Sequence, residues 1–295
     1  MTNPENTNAR ALTLLILLAL IWGTSFILMK RGLEVFSAGE LGSLRIAFAS
    51  LFLLPIAVLK FKGLNTGHYF KLFISGMMGI FFPAFLFAFA QTRLESSVTG
   101  IMNSLTPILT LLLGVFFFSQ KFRRQSIFGI VIGLVGTVIL VLANSGGKIG
   151  GINGFVTFVI LACVFYATNL NYIKYKIPDL QALTITSVSL VLIGPLAIVY
   201  LFGFTEFTEK LQTHEGAWTA FGFILLLGFM STSLATILFN KLVKISSPLY
   251  TSSVTYLIPV VAVLWGLLDG EQLYPGHFAG MAAIIGGVYL ANRKM

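Results

Sequence analysis

The chain is 295 residues long, 57% hydrophobic and 10% charged, with a formal net charge of +9. Ordinary soluble domains carry about 25% charged residues, so a protein that folds chiefly in water is excluded. No nucleic-acid partner is needed to explain the basic excess, because the placement of its lysines and arginines along the chain accounts for it.

The ten acidic residues, and most of the nineteen Lys and Arg, lie at the ends of apolar blocks or between them. They mark out ten continuously apolar blocks, roughly 11–29, 40–59, 70–90, 97–117, 126–143, 153–171, 182–203, 217–238, 248–268 and 276–292. At about 17 to 25 residues each can cross a bilayer as a helix, whereas barrel strands would alternate over ~10 residues. The expected fold is all-α integral membrane, with ten transmembrane helices and connections too short for a soluble domain.

The first block contains Trp22, Ser25 and Phe26. It follows Arg10 but lacks a small-residue cleavage site, so it is expected to be retained rather than removed as a signal peptide. In the second block Arg45 lies five residues beyond Glu40, roughly 7.5 Å along a helix at ~1.5 Å per residue. A charge inside a membrane segment is a functional candidate, although so long a side chain can also reach back to the surface. Phe82 and Phe85 belong to the third block. The fourth sets Asn103 and Thr106 beside Pro107. A proline removes one helix hydrogen bond and bends a spanning helix, and the carbonyl it frees needs a donor; Thr106 and Thr110 are close.

The fifth block offers Gly129, Gly133 and Gly136 for close helix packing, as the tenth does with Gly280, Gly286 and Gly287. Tyr166 and Asn169 lie in the sixth block with the single cysteine, Cys163, which cannot form an intramolecular disulfide. The ninth carries Thr255 and Tyr256, the expected donors near Pro259.

With the N-terminus inside, one face receives Arg10, Lys60, Lys62, Lys71, Lys121, Arg123, Arg124, Lys174, Lys176, Lys241, Lys244, Arg293 and Lys294. The other receives only Lys30, Arg31, Arg93, Lys148 and Lys210. The positive-inside rule therefore puts both termini in the cytoplasm.

The two halves repeat one another. "LTPILTLLLG" from Leu105 matches "LIPVVAVLWG" from Leu257 in its leucine, proline and glycine; beyond it Gln120 meets Glu271, Gly129 meets Gly280 and Gly136 meets Gly287. Trp22 and Lys30 likewise face Tyr166 and Lys174. The units are 1–145 and 146–295. Five spans in each force the second copy to enter the membrane inverted, the architecture of alternating-access transporters, whose site lies near the midplane where the halves meet. Matched prolines at 107 and 259 are expected to be hinges, the alternative being static kinks in a cavity wall.

The pattern "IWGTSFILMK" (Ile21 to Lys30), then Arg45, then "ESSVTGIMNSLTPILTLLLG" before a glycine-rich block, resembles the EamA-type branch of the drug/metabolite transporter superfamily. The second half repeats it with "LIPVVAVLWGLLDGEQL" and "GMAAIIGGVYL". The resemblance implies that the third and fourth spans, and the eighth and ninth, are hairpins that rock, and it leans towards export. Where the family often has glutamate after the fourth block of each half, this chain has Gln120 and Glu271. Gln120 reads as a solvated loop residue.

The candidate substrate-binding set is thus Trp22, Ser25, Phe26, Arg45, Phe82, Phe85, Asn103, Thr106, Tyr166, Asn169, Thr255 and Tyr256. A mostly apolar and aromatic pocket with a few polar groups suits a small amphipathic metabolite, and Arg45 would pair with an anionic group. His68, His214 and His277 lie in or beside loops, and no block has Asp or Glu near its middle. No metal site, cofactor or enzyme activity is expected, since HExxH, GxSxG, Asp-rich and Walker motifs are missing. The reading is a secondary transporter exporting amino acids or related metabolites across a bacterial cytoplasmic membrane, as a monomer or homodimer. An integral-membrane lipid or isoprenoid enzyme and a non-transporting scaffold are the alternatives. The first would need an acidic cluster or a nucleophile–base pair; the second would not require hinged inverted halves.

Overall fold

A computed structural model describes residues 4–94, 96–121, 124–144, 154–268 and 274–292. Glu95, Arg123, Lys148, Asp269, Glu271, Arg293 and Lys294 lie outside the described residues. Among the described residues all regular structure is helical: α1 (Pro4–Leu33), α2 (Ala38–Phe61), α3 (Thr66–Gln91), α4 (Ser96–Asn103), α5 (Thr106–Phe118), α6 (Arg124–Asn144) and α7 (Val156–Lys176). There follow α8 (Ala182–Phe204), α9 (Phe207–Thr213), α10 (Ala217–Ile245), α11 (Pro248–Ser252), α12 (Val254–Leu268) and α13 (Pro275–Asn292).

Six are long and apolar enough to cross a membrane: the Ala9–Leu33 part of α1, α2, α3, α7, α8 and α10. Thr106–Phe118, Arg124–Ile139 and Pro275–Ala291 are apolar but shorter. The fourth and ninth blocks are broken helices. Pro107 sits in the first turn of α5, just after a turn at Ser104 and Leu105. In that position its missing N–H is no loss, so Pro107 starts a helix where a kink within one was expected. Pro259 does lie inside α12, whose break from α11 comes upstream, at Ser253.

Helix ends are set by local chemistry. Ser37 caps α2 in a box with Glu40, and the buried Glu40 carboxylate pairs with Lys210 Nζ of α9 at 2.9 Å. Asn65 caps α3 in a reciprocal pair with His68, whose Nε2 lies 2.7 Å from Asp179 between α7 and α8. Lys174 Nζ donates to the carbonyls of Val243, Lys244 and Ser246 at the end of α10, where the helix dipole favours a cation.

Packing between the halves comes in exchanged pairs. α1 lies on α12 as α7 lies on α5, and α2 packs on α10 as α8 packs on α3; α2 packs on α8, and α6 on α13. Swapping the two halves turns this set into itself. The α6–α13 pair is backbone on backbone: a Cβ at Gly129 would stand 2.3 Å from Ala291 N, and one at Gly287 would stand 2.4 Å from Gly133 N. Gly286, expected to share this surface, faces open space. Large apolar side chains such as Leu59, Phe116 and Phe117 point outward, as a bilayer-facing surface requires.

Candidate functional site

α3 and α10 both leave α-helical register in mid-course, at Met77–Phe81 and Leu227–Leu234, where the turns are π-helical. Such a bulge redirects backbone groups and is frequent at functional sites. The two occupy corresponding places in the halves, and both border one cavity between them, through Gly79 and Ile80 on one side and Ser231 and Thr232 on the other.

The cavity has two lobes that share Trp22, Arg45, Tyr166 and Phe239. The first is polar, lined by Ser75, Asn169, Thr186, Ser189, Ser231, Thr232 and Asn240. Arg45 Nε donates to Thr232 Oγ1 at 3.1 Å, and Trp22 Nε1 donates to the Ser231 carbonyl at 3.1 Å. Ser75 Oγ donates to Asn169 Oδ1 at 2.8 Å, and Asn240 Nδ2 donates to Thr186 Oγ1 at 2.8 Å. Gly79 lets the Asn169 amide approach, because a Cβ there would lie 2.1 Å from Nδ2. Ser231 Oγ is buried with no hydrogen-bond partner among the described residues.

The second lobe is largely apolar. Phe26 meets Phe87 edge-on at 6.5 Å, Phe87 stacks on Tyr166 at 5.8 Å, and Trp22 meets Phe239 at 5.0 Å. Met29, Leu170 and Ile258 add aliphatic surface; Ser25, Asn103, Thr106, Ser252 and Thr255 supply polar points. Among the described residues no Asp, Glu or His lines either lobe. Among the described residues no group of three or more His, Cys, Asp or Glu could hold a metal ion.

The carbonyls four residues before the two prolines are both satisfied. Thr106 Oγ1 donates to Asn103 O at 2.8 Å, as the sequence suggests. The Thr255 carbonyl, which Pro259 cannot bind, lies 3.4 Å from Ser104 Oγ of the opposite half, a hydroxyl it shares with Gly100 O at 3.4 Å. The expected donors are occupied elsewhere: Thr255 Oγ1 binds Ser252 O, and Tyr256 OH binds Ile130 O.

The profile of the EamA-like transporter family matches this chain twice, over residues 9–142 and 154–293. The chain belongs to the EamA-like transporter family. Relatives include a "Probable amino-acid metabolite efflux pump" of Salmonella typhimurium, 26% identical over 94% of this chain and 93% of its own length. An "Uncharacterized transporter" of Bacillus subtilis is 25% identical over 93% of this chain and 84% of its own. An "Uncharacterized inner membrane transporter" of Escherichia coli is 24% identical over 94% and 89%. One solved crystal structure superposes with a TM-score of 0.75 across 96% of each chain at 16% identity, which establishes the shared fold. The apolar helices and these relatives make the chain a multi-pass protein of a bacterial inner membrane that transports small metabolites.

In this EamA-like transporter, nine of the sequence-predicted residues meet at the cavity: Trp22, Ser25, Phe26, Arg45, Asn103, Thr106, Tyr166, Asn169 and Thr255. Three do not. Phe82 is half-exposed and stacks on Phe165 at 4.8 Å. Phe85 packs on Phe81 and Tyr200. Tyr256 is buried against Gly133 of α6. Gln120 is not a solvated loop residue: its Nε2 donates to Asn171 Oδ1 and its carboxamide folds over Gly114. The structure adds Ser75, Thr186, Ser189, Ser231, Thr232, Phe239 and Asn240. The one sequence signal for them was the hydroxyl run Ser231 to Ser233 in an apolar block, with Asn240 just beyond that block's expected end.

Proposed function

We propose that this EamA-like protein is a secondary exporter of amino acids or related small metabolites, working by alternating access. Ten spans form two inverted five-helix repeats, 1–145 and 146–295, with both termini in the cytoplasm. A small-molecule substrate and the bilayer are its partners, and the chain acts as a monomer or homodimer without catalysis.

The observation that carries this reading is the cavity itself, built jointly by α1, α2 and α3 of one half and α7, α8, α10 and α12 of the other. A site between exchangeable halves is reached from either face by rocking one against the other. Two further features support it. Glu40–Lys210 and His68–Asp179 each join the halves, and they lie at opposite ends of α2 and its neighbours. The breaks near Pro107 and Pro259 leave short helical pieces beside the cavity, where a hinge acts on the site directly.

The test is efflux from proteoliposomes loaded with pooled amino acids and small organic acids, the external medium being read by mass spectrometry against protein-free liposomes. Selective escape of one or a few compounds is expected. No selective escape, with or without a proton gradient, overturns the exporter reading.

A further inference from the structure

From the charge balance of the cavity, we infer that Arg45 and the Ser231–Thr232 bulge form a carboxylate subsite, and that the cavity takes a monoanionic organic acid with an apolar tail in preference to a zwitterion. This assignment rests on the transporter reading and narrows its substrate to the related organic acids in preference to the amino acids themselves.

Among the described residues Arg45 is the only formally charged side chain lining either lobe. Its Nε is held by Thr232 Oγ1, its one hydrogen-bond partner among the described residues, so the guanidinium is oriented while its two terminal nitrogens have no protein partner there. No carboxylate forms an ion pair with it among the described residues. A charge inside a membrane protein is costly unless paired, and a carboxylate matches a guanidinium through two parallel hydrogen bonds. Ser231, next in the chain to Thr232, lines the same lobe with a buried Oγ that lacks a partner. A hydroxyl so placed can donate to the same anion.

Charge then separates substrate classes. A monocarboxylate brings the net charge of the cavity to zero. A zwitterion leaves it positive and buries an ammonium group with no acidic side chain among the described residues to receive it. The tail goes to the second lobe, among Phe26, Met29, Phe87 and Ile258.

Three probes sharing one branched tail isolate the head group: 4-methyl-2-oxopentanoate (anion), leucine (zwitterion) and 3-methylbutylamine (cation). Binding to the purified full-length chain is measured by titration calorimetry. The oxo acid is expected to bind at least about tenfold more tightly than leucine, and Arg45→Gln to weaken it by at least about thirtyfold. Arg45→Lys keeps the order of the three probes, and Ser231→Ala weakens the two carboxylates, the oxo acid and leucine, by several-fold while leaving the amine unchanged. The assignment is overturned if leucine binds as tightly as the oxo acid, if no probe binds, or if folded Arg45→Gln keeps the anion preference. Should Arg45→Gln fail to fold, loss of the order in Arg45→Lys or equal weakening of all probes by Ser231→Ala overturns it. Failure here is separable from failure of the exporter reading: selective efflux of a zwitterion or cation from the pooled liposomes upholds export while this assignment falls.

Discussion

An alanine at position 79 would drive its Cβ to 2.1 Å from Asn169 Nδ2, inside any permitted contact distance. The amide must then leave Ser75 Oγ, its 2.8 Å partner. Overpacking of a tight site costs about 1–3 kcal/mol, so Gly79→Ala should lower the melting temperature and slow transport. Gly79→Ala with Asn169→Ala should recover most of the stability but not the transport. If the double variant melts no higher than the single one, the clash is not the cause. The same residues mark how far side-chain chemistry could be read in advance. Arg45, Asn103 and Asn169 announce themselves, since a charge or an amide in an apolar block must find a partner. Phe82 and Phe85 do not, because a block that is apolar all round carries no polar stripe to say which face looks inward. Ser231 and Thr232 were hidden for a different reason: hydroxyls in a helix usually bond their own preceding turn, and no residue pattern announces the π turns that set these two at the cavity.

At the level of helices, the broken fourth and ninth blocks tie the halves together. Ser104 of one half supplies the donor that Pro259 withholds from Thr255 O in the other. Ser104→Ala should cost about 0.6 kcal/mol and at most about 1.7, the span of double-mutant cycles for hydrogen bonds inside membranes. In a Pro259→Ala background, where an N–H returns to position 259, the same change should cost less. Additive losses, read from thermal unfolding of all four variants, would show that the Ser104 contact does not compensate the proline. Gly287→Val should prevent α6 and α13 from meeting, because the added atoms run into the Gly133 backbone, whereas Gly286→Ala should be nearly silent. Expression and gel-filtration profiles of the two decide this. The element types and the repeat were readable because ten apolar blocks and one paired motif recur. The breaks were misplaced because Pro107 reads alike as a mid-helix kink and as a first-turn residue.

On the scale of the whole molecule, contacts at the two ends of the helix bundle bind one half to the other. Asp179 lies below the ordinary carboxylate range, held there first by a backbone N–H and then by His68. A carboxyl with a lowered folded-state pKa stabilises the fold above its unfolded value and loses that contribution as pH falls through the folded one. The melting temperature should therefore drop below about pH 4. Asp179→Asn should melt lower than the parent at neutral pH, with the two curves converging in acid. Parallel curves would remove the His68–Asp179 contact from the account. The bridge from Trp22 Nε1 to the Ser231 carbonyl also has an optical side. An indole joined to one half and hydrogen-bonded to the other, with Phe239 at 5.0 Å, would change its emission if the halves part or an occupant enters. The chain has three tryptophans, so with Trp218 and Trp265 replaced by Phe, this protein carries its own fluorophore at the seam, and a turnover that moves the halves would be visible without a label.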